Sequence, residues 1–352
     1  MYGWHEGRNP SEIFNLAFFF EHFPRGRSTI INPVIDFLES GLEGSFVPNP
    51  LGLLKAPEVA APPDADWKLL TPLLSEAPHA VDLIVPVYRG LDETLRCLYT
   101  VLTAKNTACA NLIVIDDASP DPDLSAKLSE LAEAGLFTLL VNETNLGFVK
   151  TANRGMRLNT ARDIVLLNSD TEVYDFWLDQ ILAHAASDQT IASITPLSNN
   201  ATICSYPVTL ENNNYDVEIG GAAINELAFE VNKGQAVDVP TGVGFCMYIR
   251  REALSQTGYF DECNFAKGYG EENDFCMRTA QAGWRNVLAL DTYVRHHGEV
   301  SFGKSASAAQ AKGLLALTKK HPVYPGVVEN YIKRDPARPG RVRIDAARLR
   351  IL

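Results

Sequence analysis

Long apolar runs, dense cysteine and an excess of positive charge are all missing from this chain, and each absence removes a class of function. The longest apolar run near the amino terminus, Leu16 to Phe20, falls far short of the roughly 20 residues that span a bilayer. Glu6, Glu12 and Glu21 punctuate the region where a secretory leader would lie, so the chain reads as cytoplasmic, meeting a membrane only peripherally at its inner face. The six cysteines (Cys97, Cys109, Cys204, Cys246, Cys263, Cys276) form no CxxC pair, a pattern of free thiols in a reducing compartment without a zinc site. A net charge of -12 argues against a nucleic-acid partner held by a broad basic surface. A polyanionic ligand must then be met locally, by a metal ion or a few cations. No GxGxxG follows the first strand-like run, which argues against a dinucleotide site.

What is present is a globular composition, 352 residues with 46% hydrophobic content, enough for one large core and an appendage. Residues 1–54 read as a helical, repeat-like segment: Gly3, Glu6, Gly7 and Pro10 are echoed by Gly41, Glu43, Gly44 and Pro48. Because the chain opens inside that echo, it is expected to be part of a longer, multi-module protein. Residues 55–80 carry five of the 20 prolines and read as a linker. From Val81 the pattern is βαβ. Apolar runs at Leu83–Val87, Leu112–Ile115, Phe137–Val141, Ile164–Leu167 and Ile191–Ile194 alternate with helical patterns, predicting a mostly parallel sheet flanked by helices over 81–322. That domain divides into halves at 81–195 and 196–322. The tail, 323–352, is locally cationic: from Lys333 it holds seven Lys/Arg against two Asp. It reads either as a solvated tail or as a peripheral contact with an anionic membrane surface.

Polar clusters fall where the predicted strands end. The first strand ends in Pro86-Val87-Tyr88 and the second in Asp116-Asp117. The third precedes Asn145-Leu146-Gly147, and the fourth runs into Asn168-Ser169-Asp170. In open α/β sheets ligands bind outside the carboxyl ends of the strands, so four clusters at one edge describe a pocket. Each has a plainer reading: Asp170 as a helix cap, Asp116-Asp117 as a turn.

In their order, VDLIVPVYRGLDETLRCLYTVL, LIVIDDASPD, NETNLGFVKTANRG, IVLLNSDTEV, GYGEENDFCMRTAQAGW and VRHHGEVSFG resemble the successive motifs of glycosyltransferase family 2 over Val81 to Gly303. The amino-terminal echo resembles segments beside such domains in bacterial surface-polysaccharide enzymes. The resemblance implies a GT-A fold and transfer of a sugar from a UDP- or dTDP-linked donor to a glycan or lipid-linked glycan hydroxyl, in surface-polysaccharide or O-antigen assembly.

It also implies residue roles. Asp116 contacts the base and Asp117 lies near the ribose, with the main chain of Pro86, Val87 and Tyr88 edging the base. Asn168-Ser169-Asp170 stands for the DxD motif with Asp170 on a divalent cation, Mn or Mg, and Asn168 departs from the first Asp. His296-His297 completes the metal or diphosphate site, His296 preferred, and an imidazole ligand tilts the site toward Mn²⁺. Asn145, Gly147 and Lys150, with Arg154, lie by the diphosphate, although solvent-facing helix positions explain the two cations equally. Gly242 and Gly244 edge the acceptor side. Glu272 is the base that deprotonates the acceptor in an inverting transfer, with Glu271 its substitute; the helix start favours its anion. Tyr269 and Trp284 are candidates to stack on a sugar, core packing being the default for Trp284. Two rivals are a catalytically inactive glycan- or nucleotide-binding module of this fold, suggested by the Asn168 and Glu272 departures, and a nucleotidyltransferase.

Overall fold

Val81–Val87 (β1) and Ala110–Asp116 (β2) are seven-residue apolar strands in parallel register, Val81 opposite Ala110 and Val87 opposite Asp116. Alternation sends their side chains to two cores: Leu83, Val85 and Val87 to one, Ile84 to the other. Such strands need helices on both faces. Leu91–Thr103 (α1) and Pro122–Glu133 (α2) cover the first face, and Phe148–Met156 (α3) the second. The computed structural model describes residues 54–55, 59–70, 80–217, 219–266, 268–298 and 306–351. The repeat-like segment expected at 1–54 lies outside them except for its last residue, as does much of the linker.

Thr138–Val141 (β3) pairs with β2, and Asp163–Leu167 (β4) with the other side of β1, both parallel. The order β3-β2-β1-β4 therefore reverses between β1 and β4, the place where open α/β sheets bind ligands. Thr171–Glu172 (β5) follows β4, then Trp177–Ser187 (α4) and Ile191–Leu197 (β6). Gly220–Asn232 (α5) and Ala236–Asp238 (β7) precede Cys246–Ile249 (β8), which runs antiparallel between β4 and β6. Arg251–Thr257 (α6), Glu271–Gln281 (α7) and Arg285–Tyr293 (β9) complete an eight-stranded sheet of order β3-β2-β1-β4-β8-β6-β9-β7. The sheet is mostly parallel and flanked by helices, as the alternating pattern predicts.

Arg295–His296 (β10) leaves this sheet and pairs antiparallel with β5, Arg295 opposite Glu172 and His296 opposite Thr171. Ala306–Lys320 (α8), Tyr324–Arg334 (α9) and Arg338–Ile351 (α10) follow. The solvated-tail reading is corrected here. Residues 324–351 form helices, and Arg341 and Arg348 are buried. Arg341 pairs with Asp335, and Arg348 Nη1 donates to Asp345 at 3.2 Å and to the Tyr206 hydroxyl at 2.8 Å. Of these contacts, the one from Arg348 to the Tyr206 hydroxyl ties α10 to the rest of the domain, and Arg341 ties it to the end of α9. Among the described residues no helix is long and apolar enough to cross a membrane.

Candidate active site

The sheet edge holds the clusters together through main-chain bonds. At the end of β1 the Val87 carbonyl accepts the Asp117 N–H at 2.8 Å, and beyond β4 the Asn168 N–H donates to the Phe245 carbonyl at 2.8 Å. Pro86, Val87 and Tyr88, Asp116, Asn168 and Gly244 thus line neighbouring strand ends, with the Arg89 guanidinium 5.4 Å over the Tyr88 ring.

Asp116 is buried, its Oδ1 accepting the Ser119 N–H at 2.7 Å and its Oδ2 the Ser125 hydroxyl at 2.6 Å. Asp117, expected near the ribose, also braces a loop. Its Oδ1 accepts Asn142 Nδ2 at 2.6 Å and the Leu146 N–H at 2.8 Å, and its Oδ2 accepts the Gly147 N–H at 2.8 Å. A carboxylate holding two loop amides fixes the Asn145–Gly147 turn. Of the residues placed by the diphosphate, Asn145 is exposed. Arg154 is tied back, donating to the Val141 carbonyl at 2.9 Å and to the Asn142 side chain. Lys150 is exposed, on the side of Glu262.

The β5–β10 ribbon brings together two motifs 126 positions apart by residue number, Asp170 and His296. His296 Nε2 lies 3.4 Å from Asp170 Oδ1, with the side chains 15% and 11% exposed. The ring is oriented from behind: Nδ1 is 2.7 Å from the Asn200 carbonyl. A carbonyl only accepts, so Nδ1 carries a proton; Nε2 faces the Asp170 carboxylate, which favours a second proton there as donor, a place that a bound cation would take instead. Phe245 stacks on the imidazole at 5.3 Å. Gly298 follows with φ +68°, left-handed backbone that favours glycine, close against Asn200. Burial raises the Asp170 carboxyl, but the facing His296 outweighs it and holds the group below its ordinary value. Burial lowers His296, and Asp170 more than reverses that.

His297 is engaged elsewhere, its Nε2 2.8 Å from Glu172 Oε1, while its N–H donates to the Asp170 carbonyl at 2.9 Å. Burial raises Glu172, yet the His297 hydrogen bond, with Arg96 and Arg295 nearby, leaves it lowered. Glu172 was missing from the sequence reading: it stands two residues after Asp170, and only its register opposite Arg295 in the β5–β10 ribbon shows its place. Cys97 supports the turn from below, Sγ 3.4 Å from the Asn168 carbonyl and from Thr171 Oγ1, with burial lifting its thiol to about 12. An oxygen and an imidazole nitrogen converging in this way fit two protein ligands of a divalent cation whose other ligands come from substrate and water. Among the described residues no cluster of three or more His, Cys, Asp or Glu accompanies them.

Across the edge, α7 begins at Glu271 after Gly270, whose φ of +119° and 2.9 Å Cβ approach to the Phe265 ring admit only glycine. Cys276, one turn below Glu272, receives the Gly242 N–H at 3.1 Å, so this helix face looks onto the Gly242–Gly244 turn. Glu271 Oε2 and Glu272 Oε2 are both buried without a hydrogen-bond partner. Burial, joined by Glu272, pushes the Glu271 carboxyl well above its ordinary value, and burial raises Glu272. This corrects the expectation that the helix start favours the anion: desolvation wins over the dipole. The following acid, Asp274, is held low despite its burial, with Lys320 Nζ and His321 Nε2 each 2.8 Å from Oδ1 and Arg278 Nε 2.8 Å from Oδ2. Trp284 is not at the site. It lies beyond the far end of α7, its indole N–H donating to Gln256 Oε1.

The model for Glycosyl transferase family 2 matches residues 82–258, half of the chain. The uncharacterized glycosyltransferase YibD of Escherichia coli (strain K12) is 26% identical over 110 residues, 31% of each chain. Two solved structures are similar in fold at 18% identity. GalNAc-T7 with UDP, GalNAc and Mn²⁺ has a TM-score of 0.53 over 70% of this chain and 48% of that one. The mannosyltransferase PcManGT from Pyrobaculum calidifontis, in complex with GDP-Man and Mn²⁺, has 0.50 over 82% and 79%. The chain thus spans under a third of the curated relative it matches, and about half of the first of these structures. Motif order, the GT-A-like sheet and the family match agree, and the chain belongs to glycosyl transferase family 2.

Proposed function

We propose that this protein is an inverting, metal-dependent glycosyltransferase that moves a sugar from a UDP- or dTDP-linked donor to a hydroxyl of a glycan or lipid-linked glycan, in surface-polysaccharide or O-antigen assembly. The observation that carries this reading is the ribbon that sets His296 Nε2 3.4 Å from Asp170 Oδ1 beside the β1/β4 switch point. Both solved structures hold a nucleotide and Mn²⁺. Asp170 and His296 would hold the cation, which when bound neutralises charge on the leaving diphosphate. Asp116, on the strand end next to Val87, accepts from the base. Asp117 fixes the Asn145–Gly147 turn at the phosphate side.

Glu272 takes the acceptor proton while the acceptor oxygen bonds to the anomeric carbon, and the bond from that carbon to the diphosphate oxygen breaks with its electron pair leaving on the diphosphate. A carboxyl lifted by burial suits this step, since a base works best with a pKa near the working pH. Buried acids without partners cost stability, and their retention favours a catalytic site over the inactive-module reading. The test is Glu272→Ala with Glu271→Ala beside it. Transfer should fall about 10²–10⁴-fold in Glu272→Ala with nucleotide binding retained. Unchanged transfer removes Glu272 from the base role.

A further inference from the structure

Among the described residues, five of the eleven exposed large hydrophobics lie within one pair of helices: Leu314 and Leu315 on α8, Val323 at the start of α9, and Val327 and Ile332 on α9. Leu315 and Val323 are 71% and 60% exposed. Lys312, Leu315 and Lys319 share one face of α8 at i, i+3 and i+7, and Val323, Val327 and Arg334 continue the pattern on α9. α8 contains no acidic residue, and the acid of α9, Glu329, is paired with Lys333 at 2.6 Å. In a chain of net charge -12 this is an apolar ridge flanked by cations.

The opposite face of α8 braces the catalytic side. Lys320 bonds both Asp274 and Asp261 at 2.8 Å, and Gly313 packs so closely on the Tyr269 carbonyl that a Cβ would come within 1.9 Å. The ridge therefore stands one helix diameter, about 10 Å, from the first turn of α7.

We infer that the α8–α9 ridge docks the protein on an anionic lipid surface, leucine and valine entering the interface while Lys312, Lys319 and Arg334 meet the headgroups. Charge decides the occupant. A second copy packed about a two-fold axis would set the lysines of this ridge against their own equivalents, which is unfavourable. An anionic bilayer is complementary to the ridge and repels the acidic remainder of the molecule, which fixes the orientation. The consequence that the acceptor is lipid-linked and presented to Glu272 from the membrane rests on the glycosyltransferase reading; the docking itself does not.

The test is co-sedimentation of the full chain with phosphatidylcholine vesicles and with vesicles in which part of that lipid is replaced by phosphatidylglycerol. Variants are Lys312→Glu with Lys319→Glu, and Leu315→Ser with Val323→Ser. Binding is expected to the anionic vesicles alone and to weaken with salt. Removing each lysine weakens it roughly five-fold, and reversal to glutamate more, so the lysine pair loses at least about 25-fold. Nucleotide titration of the variants checks that the fold is intact. A wild-type chain that stays in solution with both vesicles, or variants that sediment like wild type, overturns the inference. Because the readout needs no turnover, an inactive Glu272→Ala chain that still sediments separates this inference from the enzymatic one.

Discussion

Glu271→Gln should stabilise the protein at neutral and alkaline pH. The Glu271 carboxyl is 5% exposed with Oε2 lacking any partner, and burial with the adjoining Glu272 raises it well above 4.5. When folded, the site holds its proton at pH values where the unfolded chain has released it. Stability therefore falls as pH rises from about 4.5, and the penalty is complete above the folded value. Below 4.5 both states are protonated and the penalty vanishes. The neutral amide stays buried and unsatisfied, so what it removes is the added cost of the charge, of the same order as the neutral term, about 1–3 kcal/mol. Unfolding entropy of about 2.1 cal/mol/K per residue makes 1 kcal/mol about 1.4 °C for a chain of this length, so a gain of roughly 1–4 °C is expected at pH 8. Scanning calorimetry of wild type and variant at pH 4 and pH 8 measures it. A variant gap that fails to grow with pH, or a loss of Tm at pH 8, refutes the reasoning, because paired or solvated acids would behave that way.

Two further substitutions probe the frame. Gly270→Ala forces a Cβ to 2.9 Å from the Phe265 ring at φ +119°, so a loss of about 1–3 kcal/mol in urea unfolding and a fall in transfer rate are expected; wild-type stability would mean that the α7 start is not strained. Arg348→Ala removes the buried guanidinium that meets both Asp345 and the Tyr206 hydroxyl and should cost about 3–5 kcal/mol by the same assay. A change within 0.5 kcal/mol would return residues 323–352 to the solvated-tail reading.

The half of the fold most legible in the sequence is 81–197, because strands buried on both faces are short continuous apolar runs and the helices between them are amphipathic. The β5–β10 ribbon could not be seen: each strand has two residues, and their pairing depends on tertiary position, not local pattern. The helix α5 opens on Gly220-Gly221, a turn signal that tertiary packing overrides. The arginines of α10 looked like a solvated tail because the Tyr206 hydroxyl that Arg348 meets is 142 positions away in the chain and is matched only in three dimensions. At the site, residue types at strand ends were legible, whereas their division of labour was not. Asp117 turned out to organise a loop, and of the two adjacent histidines the neighbour pairs with a glutamate no motif had singled out.

The central claim is that Asp170 and His296 together hold the cation of the donor complex. It is tested most directly by isothermal titration of the protein with UDP and dTDP, in Mn²⁺, in Mg²⁺ and in EDTA, using wild type, Asp170→Ala, His296→Ala and His297→Ala. The account predicts metal-dependent binding that weakens at least about 10-fold in Asp170→Ala and His296→Ala, and less in His297→Ala, whose ring faces Glu172. Nucleotide binding that is indifferent to EDTA, or equal in wild type and His296→Ala, would contradict it.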